Sequence, residues 1–220
     1  MIKVPWNEID TVLLDMDGTL LDLHFDNFFW LTYLPSVYSQ TFDVEYEAAI
    51  ADLHQRFHGK QGTMEWYCLD FWSEQLNLDI VDLKHQIKEK IAVRPFVEPF
   101  LAFLRKENKH IVLLTNAHRA SLDLKMQVTS LAPLFDDIIS THDYGLPKED
   151  LALWDALKID CPFEASRTLL IDDTESVLNS AKHFGIKHLL TLSQPDSQNP
   201  KREALTYPAF HHFDEIFLHD

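Results

Sequence analysis

Five short apolar runs set the frame for this chain: Thr11-Val12-Leu13-Leu14, Ile111-Val112-Leu113-Leu114, Asp137-Ile138-Ile139-Ser140, Thr168-Leu169-Leu170-Ile171 and Lys187-His188-Leu189-Leu190. Their apolar residues run on without alternating. A strand of that kind is covered on both faces, which calls for a parallel sheet with helices on either side. Helical spacing fills the intervals. Phe100, Phe103 and Leu104 follow Pro99, Leu122 pairs with Met126, and Leu153 pairs with Leu157. Val177, Leu178, Ala181 and Phe184 lie between Thr174, placed to cap a helix, and Gly185, placed to end one. Strand–helix alternation from about residue 93 onward predicts an α/β core.

Residues 21–93 do not share that alternation. No convincing strand appears, and four helices are expected at about 25–40, 43–59, 63–76 and 79–92, with Gly59 and Gly62 bracketing a turn. The expected architecture is a Rossmann-like parallel sheet core, residues 1–20 and 94–220, carrying an inserted α-helical cap of residues 21–93.

Charge narrows the partners. The 220 residues hold 35 acidic and 19 basic side chains, a formal charge of −16. Such a surface repels nucleic acid and anionic membrane, and the densest basic stretch is only Arg105-Lys106 with Lys109. Cys68 and Cys161 lie far apart and form no CxxC motif, as suits a reducing compartment. The first residues show no apolar signal region, and no apolar run approaches the roughly 18 residues of a membrane span. A cytoplasmic protein with a small-molecule partner is the expectation; the sequence leaves the oligomeric state open.

Three of the predicted strands end in polar clusters: Asp15 and Asp17 with Gly18 after the first, Thr115 and Asn116 after the second, Asp172 and Asp173 after the fourth. In open α/β sheets ligands bind at the carboxyl ends of the strands, so these clusters should converge, joined by Lys148 from the Leu146-Pro147-Lys148 loop. Four gathered carboxylates repel one another by about 4 kcal/mol per pair at 4 Å and an effective dielectric near 20. They need a cation, and an all-oxygen donor set that leaves room for a phosphate favours Mg2+. Asp15 is then placed to attack phosphorus and form an aspartyl-phosphate. Asp17 is placed to protonate the leaving oxygen and afterwards to activate water. Gly18 allows a tight turn against the phosphate, and the Thr115 hydroxyl with nearby N–H groups can hold its oxygens.

Asp15-Met16-Asp17-Gly18-Thr19-Leu20, Leu114-Thr115-Asn116, Lys148 and Ile171-Asp172-Asp173 resemble the four ordered motifs of the haloacid dehalogenase-like (HAD) hydrolases. The inserted segment resembles a type-1 helical cap. Asp10–Trp30, Trp66–Ile80, Leu113–His118, Ser140–Trp154 and Arg167–Glu175 are similar to the bacterial GMP/IMP 5′-nucleotidases of that superfamily. The resemblance implies a Mg2+-dependent phosphatase of purine nucleoside 5′-monophosphates. It implies Asp15 as nucleophile and metal ligand, and Asp17 as acid/base and backbone-carbonyl ligand. Thr115 and Asn116 would bind phosphate, and Lys148 would order nucleophile and phosphate. Asp173 would ligate the metal with Asp172 beside it. Many relatives carry another acid four residues after the motif-four aspartate, where this chain has Val177; the pair Asp172-Asp173, helped by Glu175, replaces it.

Each feature alone has a plainer reading. DxD after a strand is commonly a solvated turn, Thr115-Asn116 a helix N-cap pair, Lys148 a surface lysine and Asp172-Asp173 a cap. The ordered set outweighs those readings. His54 and His58 stand at i, i+4 without a further ligand, which favours exposed histidines over zinc. His118 follows the phosphate loop and is a candidate substrate contact. The cap aromatics are mostly core, with Trp30, Tyr33 and Tyr67 the candidates to face the cleft. A phosphatase of sugar phosphates is the rival within the enzyme class. A receiver-type module is disfavoured by the insertion, and a dead scaffold by the completeness of the motifs.

Overall fold

A computed structural model describes residues 2–217 of the chain. Six strands form one sheet: β1 (Thr11–Leu14), β2 (His110–Thr115), β3 (Asp137–Ser140), β4 (Thr168–Ile171), β5 (His188–Leu192) and β6 (Ala209–Phe210). Their spatial order is β3-β2-β1-β4-β5-β6 and every pairing is parallel. All four residues of β1 and of β4 are buried, the result expected of strands covered on both faces. Leu13, Val112 and Leu170 face one apolar layer, and Val12, Leu14, Ile111, Leu113 and Leu169 face the other. The fifth run is shifted to start at His188 and continues through Thr191 and Leu192. The two-residue β6 is too short to carry a period in the sequence.

Core helices α7 (Val97–Lys106), α8 (Arg119–Thr129), α9 (Leu151–Asp160) and α10 (Glu175–Phe184) follow the expected intervals. Gly185 ends α10 at φ 109°, in the left-handed region that favours glycine. Thr174 holds the N-cap position, but its side chain makes no capping bond. Its hydroxyl donates to Asp173 Oδ1 at 3.2 Å.

Between β1 and β2 lies the helical insertion, α1 (His24–Phe28), α2 (Leu34–Phe42), α3 (Tyr46–Phe57), α4 (Met64–Tyr67), α5 (Leu69–Leu76) and α6 (Ile80–Gln86). Three expected helices are more broken than their periodicity suggests. The first carries a π-helical turn at Phe29–Tyr33, where the Leu34 N–H reaches back to the Phe29 carbonyl. Pro35 has no N–H to give to residue 31, and the wider turn accommodates that gap. The third is split at Cys68, whose extended backbone and Sγ, accepting from the Phe71 N–H, start a new helix. The fourth ends at Gln86 and continues as a 3-10 turn, Lys88–Lys90. Trp30, Phe57, Trp66 and Trp72 pack edge to face in this layer, with centroids 4.9–6.2 Å apart. An isolated bridge between Leu21 and Val93 ties the two connections to the core. Buried Arg94 braces the same place by donating to the carbonyls of Gln194, Pro195 and His211.

Candidate active site

β1 lies between β2 and β4, so the chain crosses to opposite sides of the sheet there and opens a crevice beyond the strand ends. A cavity of about 300 Å3 occupies it. Asp15, Asp17, Thr115, Asn116, Lys148, Asp172 and Asp173 line its floor, and Trp30, Trp66 and Tyr67 reach it from the helical insertion. Gly18 stands just behind. It sits at φ 81°, and a Cβ there would come within 2.7 Å of the Asp173 carboxylate. Glycine is therefore required twice, for the turn and for the close approach of Asp173.

Lys148 is the electrostatic centre. Only 2 % of it is exposed, and its Nζ donates at 2.6 Å to Asp15 Oδ1, at 2.6 Å to Asp172 Oδ2 and at 3.2 Å to the Leu114 carbonyl. The surface reading of this lysine is excluded. Burial alone would lower its pKa, but Asp15 and Asp172 outweigh that and raise it, so the ammonium is charged. Burial pushes the Asp15 carboxyl up to about 6 against the pull of Lys148. Asp172 is raised, again by burial, and Asp173 well above its ordinary value by burial and by its neighbours Asp15 and Asp172.

One lysine does not satisfy three acids. Among the described residues, Asp15 Oδ2 is buried without a hydrogen-bond partner. Asp15, Asp172 and Asp173 can each turn one oxygen to a common point, with those atoms within 4.8 Å of one another. An oxygen-only donor set with an orphaned buried carboxylate oxygen fits a hard divalent cation.

Around this centre the loops are pinned by side chains. Thr115 Oγ1 accepts from the Ala117 N–H at 3.0 Å, so Thr115 organises the turn after β2. The N-cap of α8 is His118, whose Nδ1 accepts from the Ala120 N–H, and not the Thr115-Asn116 pair. Asn116 Oδ1 accepts from Thr141 Oγ1 and from the Lys148 N–H, both at 2.9 Å, while Nδ2 donates to Glu149 Oε2. The Asn116 side chain thus fixes the Lys148 loop. Glu149 also accepts from the Tyr67 hydroxyl at 2.8 Å, which latches the insertion to the core.

The sequence reading missed a second ionic group. Lys125 on α8 is 1 % exposed and donates at 2.7 Å both to Asp17 Oδ1 and to Asp26 Oδ2. Asp26, on α1, also accepts from buried Lys84 of α6 at 2.7 Å. Burial, with Asp26 adding to it, pushes Asp17 up to about 6 against the pull of Lys125. Burial works the same way on Asp26, but the two ammonium groups outweigh it and hold that carboxyl below the ordinary range. Lysine in an amphipathic helix reads as solvated, so only Asp26, following the DxD motif by one helical start, could have hinted at this pairing.

Two expectations are corrected, and one plainer reading is set aside. Glu175 turns away from the cluster and accepts from the Thr206 N–H and hydroxyl. Tyr33 is not among the cavity-lining residues; its hydroxyl meets Gln86. The fourth strand's acidic pair is not an ordinary cap, although Asp172 Oδ1 does accept from the Thr174 N–H at 2.9 Å. His118 lines the cavity, and it stands with Cys68 and His142 at the seam between insertion and core. His54 and His58 lie on a separate groove, and no third ligand joins them among the described residues.

Comparison with known proteins agrees with this geometry. Residues 9–185 match the family model of the haloacid dehalogenase-like hydrolases. The chain is 41% identical over 212 residues to the GMP/IMP nucleotidase YrfG of Escherichia coli (strain K12), 96% of each being covered, and equally to its Shigella flexneri counterpart. Among solved structures, a HAD phosphatase from Thermococcus onnurineus superposes with a TM-score of 0.77 at 19% identity, covering 94% of this chain and 96% of the other. The HAD-hydrolase YfnB from Bacillus subtilis, described as bound to magnesium, gives a TM-score of 0.64 at 18% identity, with coverage of 94% and 96%.

Proposed function

The chain belongs to the haloacid dehalogenase-like hydrolases, and on that premise we propose that it removes phosphate from purine nucleoside 5′-monophosphates, GMP and IMP among them, using Mg2+ and an aspartyl-phosphate on Asp15. The observation that carries this reading is the orphaned Asp15 Oδ2 in a floor of three acids and one charged lysine. That floor accepts a cation and then a phosphate dianion. The 41% identity to a GMP/IMP nucleotidase over 96% of the chain supports the substrate class.

In this proposal Asp15, Asp172 and Asp173, with the Asp17 backbone carbonyl, would hold Mg2+, which would supply positive charge against the carboxylates and the phosphate. Lys148, Thr115 and the N–H groups beside Gly18 and Asn116 bind the phosphate oxygens. An Asp15 oxygen forms a bond to phosphorus as the bond to the 5′ oxygen breaks, and the Asp17 carboxyl gives its proton to that oxygen. Asp17 then takes a proton from water. The water oxygen bonds to phosphorus, the Asp15–phosphorus bond breaks, and phosphate leaves with Asp15 restored. An Asp17 carboxyl held near 6 suits both roles at neutral pH.

The core chemistry is the same for any monoester, so selectivity lies with the part that covers the leaving group. We take that part as residues 21–93, a cap on a core of residues 1–20 and 94–220 acting in the cytoplasm. Trp30, Trp66 and Tyr67 line the cavity from it. Trp30 is fixed edge-on by Phe29, Phe57 and Trp72, a rigid surface for a planar base. Stacking is worth up to about 3 kcal/mol per base, or roughly 150-fold. The test is kcat/KM for GMP and IMP against ribose 5-phosphate with Mg2+. A margin of at least tenfold for the nucleotides is expected, and its loss when Trp30 is replaced by Leu with p-nitrophenyl phosphate hydrolysis kept. Equal values for all three esters overturn the nucleotidase reading.

A further inference from the structure

Four charged side chains of alternating sign run from the acid–base group into the cap: Asp17, Lys125, Asp26 and Lys84. Asp17 belongs to the loop after β1, Lys125 to core helix α8, and Asp26 and Lys84 to the cap helices α1 and α6. Lys84 is already committed to the cap. Its Nζ meets Asp26 Oδ1 at 2.7 Å and lies 4.9 and 4.6 Å over the rings of Phe25 and Phe29. Asp26 therefore has one counter-ion without Lys125. Each of its two oxygens takes a different lysine, whereas among the described residues only one oxygen of Asp17 is taken. The pairing leaves Lys125 as the counter-charge of Asp17, and Asp26 as the group that keeps Lys125 in place from the other side. A long flexible side chain with 1 % exposure and two charged contacts at 2.7 Å has little freedom left.

We propose that Lys125 is a positioning residue for the reaction: anchored from the cap by Asp26, it holds Asp17 Oδ1 and so leaves the other carboxyl oxygen of Asp17 facing the substrate cavity to exchange the proton. This rests on the phosphohydrolase reading above and adds to it a residue outside the four motifs. It also ties proton transfer to cap docking. Two of the four charges are cap residues, and the Asp26–Lys125 contact exists only while α1 lies against α8.

A merely structural lysine and a positioning lysine differ in how the leaving group responds. Protonation by Asp17 matters greatly for a nucleoside 5′ oxygen and little for p-nitrophenolate, which leaves without a proton. The quantity to measure is kcat/KM, which covers steps through phosphorylation of Asp15, for GMP and p-nitrophenyl phosphate with Mg2+. Lys125→Met should lower the GMP value by about 10²-fold, the lower end of acid–base assistance, and the p-nitrophenyl phosphate value by less than tenfold. Added to Asp17→Asn, it should cause no further loss on p-nitrophenyl phosphate, because the group it positions is already disabled. Equal losses on both esters, or a full additional loss in the Asp17→Asn background, overturn the proposal. Should Lys125→Met melt below the assay temperature, Asp26→Asn carries the same test. It removes the anchor's charge and should show the same unequal losses, with equal losses again overturning the idea. A wild-type enzyme inactive on both esters overturns the phosphohydrolase reading itself, a result that no variant is needed to see.

Discussion

Replacing Lys148 by Met removes an ammonium and keeps most of the volume. The change strands Asp15 and Asp172, each now 2.6 Å from that ammonium, among buried carboxylates. At that separation and an effective dielectric near 20, each contact represents about 6 kcal/mol of attraction, much of it offset by the cost of burying the charges. Breaking a buried pair by removing one partner costs about 3–5 kcal/mol net. For a chain of this size that lowers Tm by roughly 6–20 °C. The loss should depend on pH in a fixed direction. Asp15 has a folded pKa near 6 even beside Lys148, and without the lysine it rises further. The unfolded carboxyl ionises first as pH rises, so the folded variant binds more protons and loses stability with increasing pH. Thermal unfolding without metal should show a larger gap between wild type and Lys148→Met at pH 7.5 than at pH 5. A gap under about 1 kcal/mol, or one larger at pH 5, refutes the charge-pairing argument.

Other outcomes follow from the same contacts. Asp17→Asn keeps the backbone carbonyl and loses the proton, so kcat on GMP should fall by about 10²–10⁴-fold with little change in the Mg2+ concentration needed, checked by metal titration of activity. Gly18→Ala places a Cβ within 2.7 Å of Asp173 and strains φ 81°, so Mg2+ should raise its Tm less than it raises that of wild type. Because burial raises Asp15, Asp172 and Asp173, Mg2+ must displace protons at low pH, and its stabilisation, read by calorimetry, should grow from pH 5 to pH 7.5.

Most of the frame was legible in sequence because it rests on local signals. Continuous apolar runs such as Val12-Leu13-Leu14 mark strands covered on both faces, and the polar residues that end them fall on one edge of the sheet by topology alone. The convergence of Asp15, Thr115, Lys148 and Asp172 could therefore be anticipated, and the structure places them around one cavity. What was hidden depends on contacts between distant segments. Lys125 lies 108 positions from Asp17 and 99 from Asp26, and nothing in the α8 pattern separates a buried lysine from a solvated one. The π-helical turn before Pro35 and the break at Cys68 leave the apolar period nearly intact, so periodicity runs through them. Glu175 follows the acidic pair by two residues in sequence, yet the start of α10 turns it toward Thr206.

The claim on which the account rests is a covalent phosphoryl group on Asp15. Acid quenching during steady-state turnover of GMP with Mg2+, followed by peptide mass spectrometry, reads it directly. The account predicts one phosphoryl group on the peptide containing Asp15, labile to hydroxylamine, and neither this adduct nor turnover above background in Asp15→Asn. Full turnover by Asp15→Asn, or a phosphoryl group carried on any other residue, would contradict it.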